Sequence, residues 1–471
     1  MFDTEKRVAV RLPSGASDTH EGEAPGETAR SWTAAELMAG GLLVAACGSL
    51  WHFLGAILRP DALENVSGQF GQDILPTYQA ARQILLGHGP AMYDPAVVHG
   101  YTYSPVFAWL FTPLALLPWP TAIAIWYPLS WVWVWAAVVM LARIFTEVLP
   151  AQLRALRIAG MPLIPVLAAA WIGIPPSVQA ALEFGQVDYL NLALLAGAFL
   201  CLLRRRDGLA GVLIVLAAML KITPIGMLAV FVLFRRWRAL TFGLLTLVVC
   251  VGVTSLDPRV GLGAWLLMPQ GVNANFDFIF ILYSNESLAG VFAQLATLVH
   301  RHLTPHLAEY AGFAIAAPLF AGALAFGLRR EMRESADWIV AAAAGLGALL
   351  LASPLNWDHS YLVAAAPATI LLARAATRWL ATHHIGWLEI VGLLSAAILA
   401  SWPMTAGLKL LQADPLGMRL AGVALIGARP LALLLVVCLL LWELWRSQQP
   451  LSGRSDKARV NPLSDWVAEP D

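Results

Sequence analysis

The chain has 471 residues, of which 59% are hydrophobic and 13% charged, with 30 basic side chains matched by 30 acidic ones. Soluble domains carry about 25% charged residues, so the deficit excludes a water-soluble globule and points to a polytopic membrane protein. A net charge of zero leaves no electrostatic footprint for nucleic acid, and no nucleic-acid module is recognisable.

Taken from its start, the chain opens on a predominantly polar stretch, residues 1–31, rich in Gly, Ser, Glu and Thr. No short apolar core follows a basic start, so this reads as a disordered cytoplasmic tail rather than a cleavable leader. Residues 32–446 then form one membrane domain, and 447–471 a second cytoplasmic tail. The first apolar segment runs from Trp32 to Leu58, behind Lys6, Arg7 and Arg11, which favours a cytoplasmic N-terminus. The loop from Arg59 to Tyr103 is then extracytoplasmic, with an interfacial amphipathic helix over Tyr78 to Leu86.

From Pro105 to Leu141 the chain is apolar but broken by Pro113, Pro118, Pro120 and Pro128, and it counts as one net crossing. Trp126, Trp131, Trp133 and Trp135 mark either a membrane interface or a helix packing face. Apolar runs over 159–175 and 187–203 lead to Arg204-Arg205-Arg206, the strongest cytoplasmic marker. Gly208 to Phe234 is too long for one span, is interrupted by Lys221-Ile222-Thr223-Pro224, and is basic on both flanks. Two short helices meeting at Lys221 satisfy that pattern. A span over 239–256 precedes a second long loop, Asp257 to Glu309, and further spans are expected over 310–328, 336–352, 361–377, 387–405 and 422–445. The expectation is an all-α protein with about twelve transmembrane helices. The loops holding Asp73, Glu183/Gln186, Asn285 and Asp358/His359 fall on the outer side, and the basic loops on the other.

Those outer loops hold the candidates for chemistry. Asp73, in Gly71-Gln72-Asp73-Ile74, reads either as a helix cap or as a general base that takes a proton from a substrate hydroxyl. Gly185-Gln186 reads either as a helix start with a glycine for close packing or, with Asp188, as a place to hydrogen-bond a sugar at the helix mouth. Lys221 is costly in a membrane unless paired; it meets either a lipid phosphate or one of Glu183 and Asp188. Asp358-His359, before Tyr361, suits phosphate or sugar contact. His300, His302 and His306 match no standard metal spacing, and Asn285-Glu286-Ser287 matches a glycosylation sequon. Cys47, Cys201, Cys250 and Cys438 all lie in apolar runs without a paired motif, as small buried hydrophobes do.

The ordered set of Gly71-x-Asp73-x4-Tyr78, Tyr93-Asp94-Pro95, Tyr103-x-Pro105, Gly185-Gln186-Val187, Lys221-x-Thr223-Pro224, Asn285-x-Ser287-Leu288 and Ser353-Pro354-x-x-Trp357-x-His359 resembles glycosyltransferase family 87 over residues 35 to 445. The chain differs in carrying Asp188 where that family more usually has Asn. The resemblance implies a GT-C fold in the inner cell membrane and an active site facing away from the cytoplasm. It also implies inverting transfer of a sugar, mannose at the level of the family, from a polyprenyl-phosphate donor to a glycolipid or cell-envelope glycan. Asp73 is then the base, and His359 lies near the donor phosphate. Asp358, Gln186, Lys221, Asn285, Tyr78 and Tyr103 are candidates for holding donor or acceptor. No metal or cofactor is implied, and the partners are the two substrates and membrane lipids, with the protein acting as a monomer. The rivals are a multi-pass lipid or glycan transporter, which calls for internal repeats and mid-membrane charges, and an O-antigen polymerase or ligase, which calls for outer-loop arginines to hold diphosphate.

Overall fold

The computed structural model describes residues 71–148, 157–158, 161–162, 182, 184–280, 285–298, 304–329, 337–354, 358–382, 387–401, 409–411 and 416–447. The expected first span, all of the 159–175 run but residues 161–162, the N-terminal tail and residues 448–471 lie outside these residues. Apart from two-residue strands, β1 (Arg157–Ile158) and β2 (Met161–Pro162), paired antiparallel, the described architecture is helical.

The segment before the proline-broken run contains helix α1, Leu75–Leu85, begun by Pro76, whose missing N–H costs nothing at a helix start. Its buried residues, Thr77, Ala80, Ala81 and Ile84, recur at three- and four-residue spacing and form one face. A 3-10 turn, Gly89–Tyr93, follows. Helix α2, Pro105–Ala115, and helix α3, Trp119–Val148, make up the proline-broken segment. Only α3 is long enough to cross a bilayer, in agreement with one net crossing. Its tryptophans pack inside the protein on more than one side of the helix: Trp126 and Trp135 are buried in separate clusters, and Trp131 and Trp133 lie against the second of these.

Helices α4 (Asp188–Leu203) and α5 (Asp207–Leu220) form a hairpin, each with an aspartate in its first turn where the helix dipole favours negative charge. α5 stops at Lys221 because Pro224 bars a continuing helix. The chain turns back through a 3-10 segment, Thr223–Gly226, and helix α6, Met227–Leu233. The expected pair of short helices meeting at Lys221 is thus present. Arg236 pairs with Asp207 at 3.6 Å, which puts both flanks of the pair at the same end of the bundle. Helix α7, Trp237–Leu256, then runs closely beside α5. A side chain at Gly211 would meet the Ala239 carbonyl oxygen at 1.9 Å, so this approach requires glycine.

The second long loop expected from Asp257 is a correction: it is largely helical. Helix α8, Gly261–Phe280, packs on the Gly89–Tyr93 turn, with Gly271 against Tyr93, and helix α9, Leu288–Leu298, follows. Leu262 and Leu266 of α8 are exposed, so this helix is peripheral and its mixed composition masks its periodicity. Helices α10 (Pro305–Phe326), α11 (Trp338–Ala352), α12 (Ala365–Thr382), α13 (Trp387–Ser401), α14 (Leu416–Ile426) and α15 (Ala428–Ser447) complete the described bundle. The span expected over 361–377 begins as a 3-10 turn, Asp358–Ala364, and the one over 422–445 is divided between α14 and α15. Among the described residues four helices have the length and composition to cross a membrane: α3, α7, α10 and α15.

Charge is segregated along the bundle. One end carries Arg204–Glu147, Arg236–Asp207, Arg374–Asp337 and Arg378–Glu443. Arg236 also lies 4.1 Å over the Trp338 ring, tying α7 to the start of α11. The other end carries Lys221–Asp188, Arg429–Glu286 and Arg259–Asp257. Trp109 donates to Asp257, whose carboxyl is held well below its ordinary range chiefly by the Arg259 guanidinium.

Candidate functional site

Two glycine turns face each other at the second of these ends. Gly71 (φ +73°) precedes Asp73, and Gly185 (φ +71°) precedes Gln186. The Asp73 N–H donates to the Phe184 carbonyl at 3.0 Å, and Trp126 Nε1 donates to the Gly185 carbonyl at 3.0 Å. These contacts join the start of α1 to the start of α4 through α3. A Cβ on Gly185 would lie 2.9 Å from Ile74 Cγ2 and 3.3 Å from Gly71 Cα. Gly185→Ala is therefore expected to cost about 1–2 kcal/mol from the left-handed backbone alone, with the overlap added. A lowered unfolding temperature in detergent checks this, and an unchanged one would mean that the turns are not locked together.

The lock aligns the side chains. Gln186 Nε2 donates to the Asp73 carboxylate, an orientation of the amide that an ionised carboxylate requires, since it only accepts. Asp188, two residues on and fully buried, forms an ion pair with Lys221 at 2.7 Å. Of the pairings open to Lys221 in the sequence, the one with Asp188 is present among the described residues. Lys221 Nζ also donates to Ser360 Oγ at 3.2 Å, while about a quarter of its side chain remains exposed. Its ammonium is thus held by two buried groups, Asp188 and Ser360.

Tyr103 completes this group. Burial, with the carboxylates of Asp73 and Asp188 nearby, pushes its phenol well above its ordinary value, so the hydroxyl stays protonated. Its ring belongs to an aromatic ladder, 5.9 Å from Tyr101 and 5.4 Å from Phe107, and its carbonyl accepts from Tyr93 at 2.8 Å. Ser104 donates to the Met219 carbonyl at 2.5 Å, fastening this segment to the end of α5.

The remaining candidates divide. Tyr78 is scaffold: its hydroxyl donates to the Leu117 carbonyl at 2.8 Å and its ring packs edgewise on Trp119. Asn285 is buried and donates to the Pro354 carbonyl, while its oxygen accepts from the Ser287 N–H. Asn285 and Ser287 are 1% and 0% exposed, which leaves the sequon unavailable for glycosylation. Asp358 and His359 open the 3-10 turn that places Ser360 against Lys221; their side chains, like Glu183, lie outside the described part. His306 is exposed and 3.7 Å from Glu309, while His300 and His302 fall outside the described residues. No group of three or more His, Cys, Asp or Glu is placed to hold an ion among the described residues.

Sequence reasoning missed Glu286 and Arg429, which form an ion pair at 3.0 Å with each side chain 1% exposed. Arg429 stands inside the expected 422–445 span, and a charge at such a position was itself the signal. Tyr361 donates to the Glu286 carbonyl at 2.8 Å. The path from Arg429 to Glu286 and Tyr361 therefore reaches Ser360, the neighbour that bonds Lys221.

The site thus gathers an oriented carboxylate, a protonated phenol and a supported ammonium at the polar end of a helical membrane scaffold, a set suited to moving a proton beside a developing anion. A search of curated proteins gives no match. The sequence model of glycosyltransferase family 87 matches residues 101–354. That match takes in Tyr103, Gln186, Lys221 and Asn285, while Asp73, Tyr78, Asp358 and His359 lie on either side of it. It covers more than half of the chain and displaces the transporter reading: the protein belongs to glycosyltransferase family 87 and is a membrane glycosyltransferase.

Proposed function

We propose that the protein moves a sugar, mannose in the first instance, from a polyprenyl-phosphate donor to a lipid-linked or cell-envelope glycan, with inversion at the anomeric carbon. The observation that carries this reading is the Asp73 carboxylate, oriented by Gln186 and joined through Tyr103's surroundings to the Asp188–Lys221 pair. In this scheme the acceptor hydroxyl attacks the anomeric carbon while Asp73 takes its proton. The new carbon–oxygen bond forms as the bond to the donor phosphate breaks, and the electron pair leaves on the polyprenyl phosphate. Lys221, whose side chain is partly exposed, lies beside that departing charge, and His359 next to Ser360 is its partner at the phosphate. The leaving phosphate is already a stable anion, so one base suffices. About twelve transmembrane helices in a GT-C arrangement, in the inner membrane with the polar end facing away from the cytoplasm, complete the reading.

The test supplies purified protein with a radiolabelled polyprenyl-phosphate mannose and a mixed lipid extract, with and without EDTA. Label is expected in a new glycolipid or glycan, to the same extent in both, because Lys221 supplies the positive charge assigned to the leaving group. Folded protein that transfers label only from a nucleotide sugar would overturn the donor assignment, and transfer lost in EDTA would overturn the metal-free mechanism.

A further inference from the structure

At the end of the bundle opposite the site, two helix ends repeat one unusual geometry. Arg205 (φ +55°) and Arg235 (φ +54°) are the two non-glycine residues with positive φ among the described residues. Each follows the end of a helix, and the caps match. The N–H groups of Arg205 and Arg206 donate to the carbonyls of Leu202 and Cys201, and those of Arg235 and Arg236 to Val232 and Phe231. Glycine is the usual residue at this left-handed position. Arginine here accepts backbone strain in order to turn a cation outward, and strain of this kind is a pointer to function.

The two turns are neighbours. The Arg236–Asp207 pair joins them, and the turn after α10 abuts the second, with a Cβ on Gly327 reaching 2.9 Å from the Phe234 ring. Glu147 and Asp207 are paired with Arg204 and Arg236, while Arg205, Arg206, Arg235, Arg238 and Arg329 are exposed around them. In a chain of zero net charge this is a strong local excess. Exposed apolar side chains stand among the arginines: Leu328 is 68% exposed, Trp237 55% and Leu209 48%. Cations interleaved with tryptophan and leucine are what a bilayer headgroup layer selects. A surface that met only water, or a soluble polyanion, has no use for the apolar part.

We propose that these three turns form a binding site for the phosphate headgroup of an anionic phospholipid, seated among Arg205, Arg235 and Arg329 with its acyl chains along Trp237, Leu328 and Leu209. The site is remote from Asp73 and does not depend on the reaction assigned there.

The test compares wild-type protein with Arg205→Gly/Arg235→Gly, a double variant that keeps the backbone geometry, relieves its strain and removes two cations. Each protein is placed in nanodiscs of phosphatidylcholine alone or with phosphatidylglycerol, and thermal unfolding and retained phosphatidylglycerol by native mass spectrometry are read. In phosphatidylcholine the variant should unfold no lower than wild type. Phosphatidylglycerol should raise the wild-type unfolding temperature much more than that of the variant. Retention should fall about fivefold for each arginine removed, less at high salt. An equal phosphatidylglycerol shift and equal retention in both proteins would overturn the proposal. So would the same wild-type shift from inorganic phosphate in phosphatidylcholine discs, which would mean a free-anion site.

Discussion

Asp73→Asn should reduce sugar transfer by at least about a hundredfold, the lower bound of what a positioned general base contributes, while leaving the protein folded. Asparagine has nearly the same shape and its carbonyl oxygen still accepts from Gln186 Nε2. The Asp73 N–H bond to Phe184 and the facing glycine turns also remain. Asparagine cannot take a proton at neutral pH, so the acceptor hydroxyl loses its base. Because the base acts on the proton and not on the sugar rings, the loss should appear in kcat, with KM for the donor little changed. Single-turnover transfer by detergent-purified protein, alongside an unfolding curve, checks this. Transfer within tenfold of wild type would remove Asp73 from the chemistry and leave it as a helix-start residue.

The second large effect concerns stability. Glu286 and Arg429 are paired in a region closed to solvent, and breaking such a pair by removing one partner costs about 3–5 kcal/mol, because the survivor is a buried uncompensated charge. Glu286→Gln and Arg429→Met should therefore each lower the unfolding temperature sharply. The double variant should recover much of the loss, since replacing both charges together is often near neutral. The pair also holds the segment whose backbone receives Tyr361, next to Ser360. The double variant should therefore remain less active than it is stable, with a raised donor KM from a loosened Lys221. Single variants that unfold with wild type would refute the stability argument, and a stable double variant with a wild-type KM would limit the pair to scaffolding.

The local features of this fold were legible where short-range physics decides them. Pro224 and the charge of Lys221 announced the break between α5 and α6. The amphipathic stretch expected over Tyr78 to Leu86 corresponds to α1, which starts three residues earlier at Leu75. The polar motifs singled out in the sequence do meet partners across the chain: the structure brings Asp73 to Gln186, Lys221 to Ser360 and Asn285 to Pro354. The partners themselves were not legible, because each contact spans more than sixty residues and follows from helix packing rather than spacing. α8 was hidden because it is peripheral, with polar residues among its apolar ones and Pro269 within it. Arg429 was passed over because the apolar residues on both sides of it read as one span, whereas the structure breaks that span between α14 and α15 just before it. What distinguishes it is Glu286, 143 residues earlier.

The pairing of α4 with α5 bears on how the chain is made. Synthesis delivers Asp188 at the head of α4 well before Lys221 at the foot of α5, and a lone carboxylate or ammonium is poorly tolerated within lipid. Only when the ribosome has completed both helices do the two charges cancel across 2.7 Å. The unit that leaves the insertion machinery is therefore the hairpin and not the single helix. The three arginines in its connecting turn, Arg204 to Arg206, stay at the opposite end of the hairpin from the paired tips.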